Sequence, residues 1–130
     1  MVYDVKQKLQ SDIFHKNYGK FSKYLDEIVL ATVGKIGNVK IQQAVLARLR
    51  ANGEIPKHKD VGNPLTAEIH SATHRIHVPV ITNENCIFTV GGESKNLKPG
   101  QIWIVDNVGR HHSVKNLGDN HRIHLIIDAI

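Results

Sequence analysis

From Asn38 to its end the chain is a succession of short β-branched and apolar runs, each closed by a turn signal. VKIQQAVLARL, HRIHVPVIT, CIFTV, QIWIV, HHSVKN and HRIHLIIDAI are separated by Asn52-Gly53, Gly62-Asn63-Pro64, Gly91-Gly92, Pro99-Gly100 and Gly118-Asp119-Asn120. Runs this short, regularly spaced and without long helical patterns between them, predict an all-β sandwich or barrel. The first 35 residues differ. Leu9, Ile13, Phe14, Phe21, Leu25, Ile28 and Val29 recur at steps of three and four, which predicts one or two amphipathic helices. Asn17-Tyr18-Gly19 interrupts them, and Gly34 and Gly37 end them. So short a segment cannot bury a core of its own, and it is expected to pack on one face of the barrel. The expected organisation is one domain over 1–130, with a helical segment over about 1–37 and a β-barrel over 38–130.

Composition narrows the functional classes. Hydrophobic residues make up 41% and charged residues 22%, too apolar and too mixed in charge for disorder as the main state. No apolar run approaches the roughly 20 residues of a membrane span. MVYDVKQKLQ is polar and does not read as a signal peptide. The single cysteine, Cys86, excludes an internal disulfide and any thiolate zinc cluster, and it fits a reducing, cytoplasmic setting. A net charge of +5 admits an acidic partner such as nucleic acid, but an aromatic content of 5% counts against a pocket for a flipped base. There is no glycine-rich phosphate loop and no Gly-x-Ser-x-Gly elbow.

The nine histidines carry the chemical signal, because imidazole is the commonest metal ligand. His58 and Asp60 form a His-x-Asp pair, and on an extended strand residues two apart project to one side. Together they would supply two ligands of a 2-His-1-carboxylate triad. The third is expected at His111 or His112. Ten residues beyond His112, Arg122 opens a strongly apolar strand. A guanidinium entering a barrel from such a strand is costly unless it meets an anion, and it binds a carboxylate through two parallel hydrogen bonds. The remaining candidates have plainer readings. His15 is expected on a helix surface, and His70 and His74 in or near a loop. His111 and His121 should point away from the site, while His124 shares the side of Arg122. Cys86 and Trp103 read as packing, and Asp128 as the end of the last strand or a supporting partner.

RLRANGEIPKHKD, HRIHVPVITNENCIFTVGGESKNLKPGQIWIVDN and HHSVKNLGDNHRIHLIIDAI resemble the Fe(II)/2-oxoglutarate-dependent oxygenases. More narrowly, they resemble the aspartyl/asparaginyl β-hydroxylase family over about Val45 to Ile130. The resemblance implies a double-stranded β-helix, also called a jelly roll or cupin-type barrel, in agreement with the strand pattern. It implies Fe(II) held by His58, Asp60 and His112. His112 is preferred to His111 for its His-x-Val-x-Asn pattern and its spacing to Arg122. Arg122 matches the residue that holds the far carboxylate of 2-oxoglutarate. Arg75 and His77 match an Arg-x-His pair that reaches the cosubstrate's other carboxylate. Some aspartyl hydroxylases lack a carboxylate at the position of Asp60, and this chain departs from them by having one.

The activity so implied is hydroxylation of an aliphatic carbon of an amino acid, a peptide or a protein Asp/Asn side chain, with release of succinate and CO2. With little beyond the barrel in 130 residues, a small molecule or short peptide is the expected substrate. The alternatives are a metal-binding cupin of other chemistry and a nucleic-acid oxygenase. Residues 61–73, between Asp60 and the Arg-x-His strand, combine breakers with no sustained period and are expected to form a mobile lid over the pocket.

Overall fold

The computed structural model describes residues 11–14, 22–37, 41–60, 74–107 and 109–129. Among these the elements are β1 (Ser11–Phe14), α1 (Ser22–Ile36), β2 (Ile41–Leu49), β3 (Glu54–His58), β4 (His74–Ile81), β5 (Cys86–Val90), β6 (Glu93–Lys95), β7 (Trp103–Val105), β8 (His112–Asn116) and β9 (Arg122–Ala129). The strands form two antiparallel sheets, of order β1-β2-β9-β4-β7 and β3-β8-β5-β6. From β2 onward the chain crosses between the sheets at nearly every step, which is the winding of a double-stranded β-helix.

Strand alternation divides the larger sheet into two chemically distinct faces. Ile76, Val78, Leu125, Ile127 and Ala129 are buried together with Val29 of α1, and Ile28 and Ile36 pack against them. The helix thus covers the outer face of the sheet, as the amphipathic pattern requires. Each fully buried side chain of this kind contributes roughly 1.5–3 kcal/mol. Gly37, at φ 110°, ends the helix in a conformation that side chains avoid. The opposite face of β4 and β9 carries Arg75, His77, His124, Arg122 and Asp128, all buried. It looks into the space between the sheets, where Leu49, Ile55, Cys86, Phe88, Leu97, Val105 and Val114 form the inner core.

The N-terminal expectation needs correcting in part. There is one helix among the described residues, and Ile13 and Phe14, read as helical from their spacing, lie in β1. Four residues of β1 pair antiparallel with β2, from Ser11↔Leu49 to Phe14↔Leu46. An unpaired edge of β2 offers a ladder of backbone hydrogen bonds that local helical periodicity does not outweigh. The expected lid, residues 61–73, lies outside the described residues, as do His15 and His70.

Candidate metal centre

β3 and β8 bring the two histidines together. Glu54↔Lys115 and Ile55↔Val114 pair in regular register, and a shift between Ile55 and His58 then places His58 opposite His112. Ile55 is buried inside the barrel, and strict alternation from it would turn His58 outward. The irregularity re-aims the imidazole, as bulges beside sites commonly do. Asp60 lies two residues past His58, beyond the end of β3, so strand alternation alone does not orient it. Its backbone N–H donates to the carbonyl of Asn107 at 2.9 Å, which fastens this bend to the loop before β8.

Three ligand atoms converge. Asp60 Oδ1 lies 3.1 Å from His58 Nε2 and 3.5 Å from His112 Nε2. The three residues offer ligand atoms that all lie within 4.8 Å of one another. His58 is anchored from behind: its Nδ1–H donates to the Pro56 carbonyl at 2.7 Å, which directs Nε2 at Asp60. His111, next in sequence to His112, is exposed, whereas His112 is buried. The donor set of two imidazoles and one carboxylate, with open positions, suits a divalent first-row metal.

Electrostatics prepare the same atoms. Burial disfavours charge on Asp60, but hydrogen bonds from His112 and His58 and the Arg75 charge outweigh it. They hold the carboxyl well below the usual carboxylate range. Burial also opposes charge on His58, yet the bond to Asp60 and the Pro56 carbonyl raise its pKa above the ordinary value.

Arg75, which the resemblance matches to a residue reaching the cosubstrate, meets carboxylates of the chain itself. Its guanidinium is 1% exposed and lies against Asp60 and Asp128, at 2.8 Å each. His77 is buried on the same strand face, edge-on to Phe88, whose ring stacks in turn on His112. Its Nδ1 lies 3.1 Å from Nδ1 of His124. Burial, with Arg122 nearby, pushes the pKa of both imidazoles well below the ordinary histidine value. Nε2 of His124 is buried with no hydrogen-bond partner among the described residues. Arg122 is itself 1% exposed on the inward face of β9.

Two openings adjoin this chamber. One, of about 290 Å³, has an apolar floor of Phe88, Val90, Leu97, Trp103 and Val105. The other, of about 500 Å³, borders His112 and carries Lys57, Lys59 and Arg110. Sequence reasoning missed Asn107, a loop residue with no motif around it, and gave Asp128 only as an option. A signal for Asp128 existed: a carboxylate inside the apolar run LIIDAI, which requires a cationic partner when buried.

Two antiparallel sheets wound as a double-stranded β-helix around an inward His/Asp/His cluster define a cupin-type barrel with a candidate metal site. Solved structures share the barrel. A protein of Thermotoga maritima described as a predicted oxalate decarboxylase superposes with TM-score 0.55 at 15% identity, covering 91% of this chain and 78% of that one. The Cnp3 cupin domain of Schizosaccharomyces pombe gives 0.52 at 16% identity, over 72% and 65% of the two chains. The TT1209 protein of Thermus thermophilus gives 0.51 at 17%, over 72% and 77%. At such identities the likeness is one of fold alone. The sequence is more specific: the aspartyl/asparaginyl β-hydroxylase family model matches residues 8–130, and the chain belongs to that family. No curated protein matches it in sequence. Among the described residues no helix is long and apolar enough to cross a membrane.

Proposed function

We propose that this chain is an Fe(II)- and 2-oxoglutarate-dependent hydroxylase acting on an aliphatic carbon of an amino acid, a peptide or a protein Asp/Asn side chain. The observation that carries this reading is the convergence of His58 Nε2, Asp60 Oδ1 and His112 Nε2 within 4.8 Å in a chain of a hydroxylase family. Iron bound there would couple the oxidative decarboxylation of 2-oxoglutarate to O2 and substrate hydroxylation, with succinate and CO2 as coproducts. His58, Asp60 and His112 would hold the metal on one side and leave the other open. Arg122, buried on β9, is assigned to a carboxylate of the cosubstrate. His124 supports that assignment, since a buried, unpartnered ring nitrogen beside a guanidinium suits an anionic guest. His77 would shape the same chamber as a neutral imidazole, its positive form being disfavoured by burial and Arg122.

The floor of Phe88, Val90, Leu97, Trp103 and Val105, beneath a rim that includes Glu93, Lys95, Asp106 and Arg110, gives an aliphatic substrate group an apolar surface beside Phe88, whose ring stacks on His112. We favour a small molecule or short peptide in a cytoplasmic setting. The deciding experiment is succinate release from 2-oxoglutarate by the Fe(II)-loaded protein across a panel of free amino acids and Asp- or Asn-containing peptides. Substrate-dependent succinate supports the proposal. Tight metal binding with no 2-oxoglutarate consumption by any substrate would favour a cupin of other chemistry. Turnover restricted to oligonucleotides would favour the nucleic-acid alternative.

A further inference from the structure

The carboxylate of the candidate metal centre is held from behind by a buried chain of polar groups. Asp60 Oδ1 faces the two imidazoles, while Oδ2 accepts from Arg75 Nη1–H and from Asn107 Nδ2–H, each at 2.8 Å. Arg75 in turn donates Nε–H to Asp128 Oδ1 and Nη2–H to Asp128 Oδ2, again at 2.8 Å, a two-pronged fork. Arg75 and Asp128 are each 1% exposed and Asn107 is 2% exposed. The fork is set by the sheet, because Arg75 and Asp128 are directly opposed in the β4–β9 register. Fixing those two strands therefore fixes the guanidinium, and the guanidinium fixes one oxygen of Asp60.

We infer that Asp128 and Arg75 are positioning residues for the metal-binding carboxylate, a role resting on the metal-site reading proposed above. With Oδ2 engaged by two donors, Asp60 presents Oδ1 alone, so the centre takes a one-oxygen carboxylate ligand of fixed orientation. The Arg-x-His arginine thereby serves Asp60 rather than a carboxylate of the cosubstrate. This ties Asp128, to which the resemblance gave no role, to the metal-binding carboxylate Asp60. Asp60 needs Arg75 to orient it, and Arg75, between two strands in a dry interior, needs Asp128 to fix its plane.

The test is metal binding, read independently of turnover. Mn(II) affinity is measured by calorimetry, and the visible spectrum of the Co(II)-loaded protein reports coordination geometry. Asp128→Asn is expected to weaken Mn(II) binding by about 10–100-fold, the usual cost of losing support behind a metal ligand, and to alter the Co(II) spectrum. In an Asp60→Asn background the same change should cost no further affinity, because its route to the metal is gone. A merely structural role would lower Tm while leaving wild-type affinity and spectrum, or would cost equally in both backgrounds, and either result overturns the inference. Should Asp128→Asn fail to fold with Arg75 left half-paired, the double variant Arg75→Met/Asp128→Leu replaces the pair by apolar groups, a swap often tolerated. It should fold and show the same loss of Mn(II) affinity; wild-type affinity there refutes the positioning role alone. If His112→Ala leaves Mn(II) binding of the wild-type chain unchanged, the metal-site reading falls and this inference with it.

Discussion

Nδ1 of His77 and Nδ1 of His124 lie 3.1 Å apart on the inward faces of neighbouring strands β4 and β9. Only one of the two can donate, so the rings are opposite tautomers about this contact. If His124 accepts at Nδ1, its Nε2 carries the hydrogen and is a buried donor without a partner among the described residues, suited to an anion. If both were protonated, two N–H groups would face each other beside Arg122. Burial, then the Arg122 charge, accordingly hold both pKa values well below the ordinary value of 6.5.

That arrangement makes the metal-free protein acid-sensitive. The unfolded chain takes up protons at these histidines below pH 6.5 while the folded chain does not, so stability falls with falling pH in that window. Each histidine contributes up to about 1.4 kcal/mol per pH unit between its folded pKa and 6.5. His58 has the opposite sign: its raised pKa gives stability that is full below 6.5 and is lost as pH rises through the folded value. Tm of the metal-free chain is therefore expected to peak near neutrality and to drop between pH 6.5 and 5. His124→Gln should roughly halve the acid slope, whatever it does to the absolute Tm. A Tm that holds level or rises from pH 7 to 5 would contradict this account.

Replacing His112 with Ala should abolish most Fe(II) or Mn(II) binding, because loss of a ligand exceeds the 10–100-fold typical of losing a supporting group. His111→Ala should leave affinity within about threefold, since that side chain is exposed and outside the cluster. Calorimetric titration of the two variants side by side settles the assignment, and reversed behaviour would move the ligand to His111.

Arg122→Lys retains the charge but loses the two-pronged geometry. Under the proposed function it should raise KM for 2-oxoglutarate by at least about tenfold while metal affinity stays close to wild type. A cosubstrate titration unaltered by the substitution would remove Arg122 from the proposed site.

Much of this was legible because strands and turns declare themselves locally. The runs that became β2, β4, β5, β7, β8 and β9 follow from β-branched composition and Gly/Asn punctuation, whereas β3 (EIPKH) and β6 (ESK) carry no such run. β9 is inward-polar apart from Ile126, and outward-apolar, by simple alternation. His58, Asp60 and His112 stand out by motif and spacing, and the fold brings them together. What was not legible depends on pairing between distant strands. The Arg75–Asp128 contact spans 53 positions and is created by the β4–β9 register, which no local pattern encodes. Asn107 reaches Asp60 across 47 positions from an irregular loop. Ile13 and Phe14 carry helix-like spacing, but the edge of β2 decides their conformation.

Asn116, fully buried at the end of β8, fastens the end of the barrel away from the metal cluster. Its Nδ2–H groups face the carbonyls of Leu49, Arg50 and Asn120 at 3.3, 3.1 and 2.9 Å. Its Oδ1 accepts from Asn83 Nδ2–H at 3.0 Å and from Gly118 N–H at 3.2 Å. One side chain thus joins the end of β2, the loop before β5 and the turn that leads into Arg122. Asn116→Ala would leave several buried polar groups without partners, at about 1–3 kcal/mol for each that water does not reach. A loss of at least about 2 kcal/mol is expected in urea unfolding of the metal-free chain. His112 and Asn116 are four residues apart on one strand, roughly 13 Å at about 3.3 Å per residue, so metal affinity should change by less than about threefold. Measuring both quantities on the same variant separates the two ends of the barrel. If Asn116→Ala lost metal affinity in step with stability, β8 would not act as a rigid spacer, and the separation of scaffold from site argued from this network would fail.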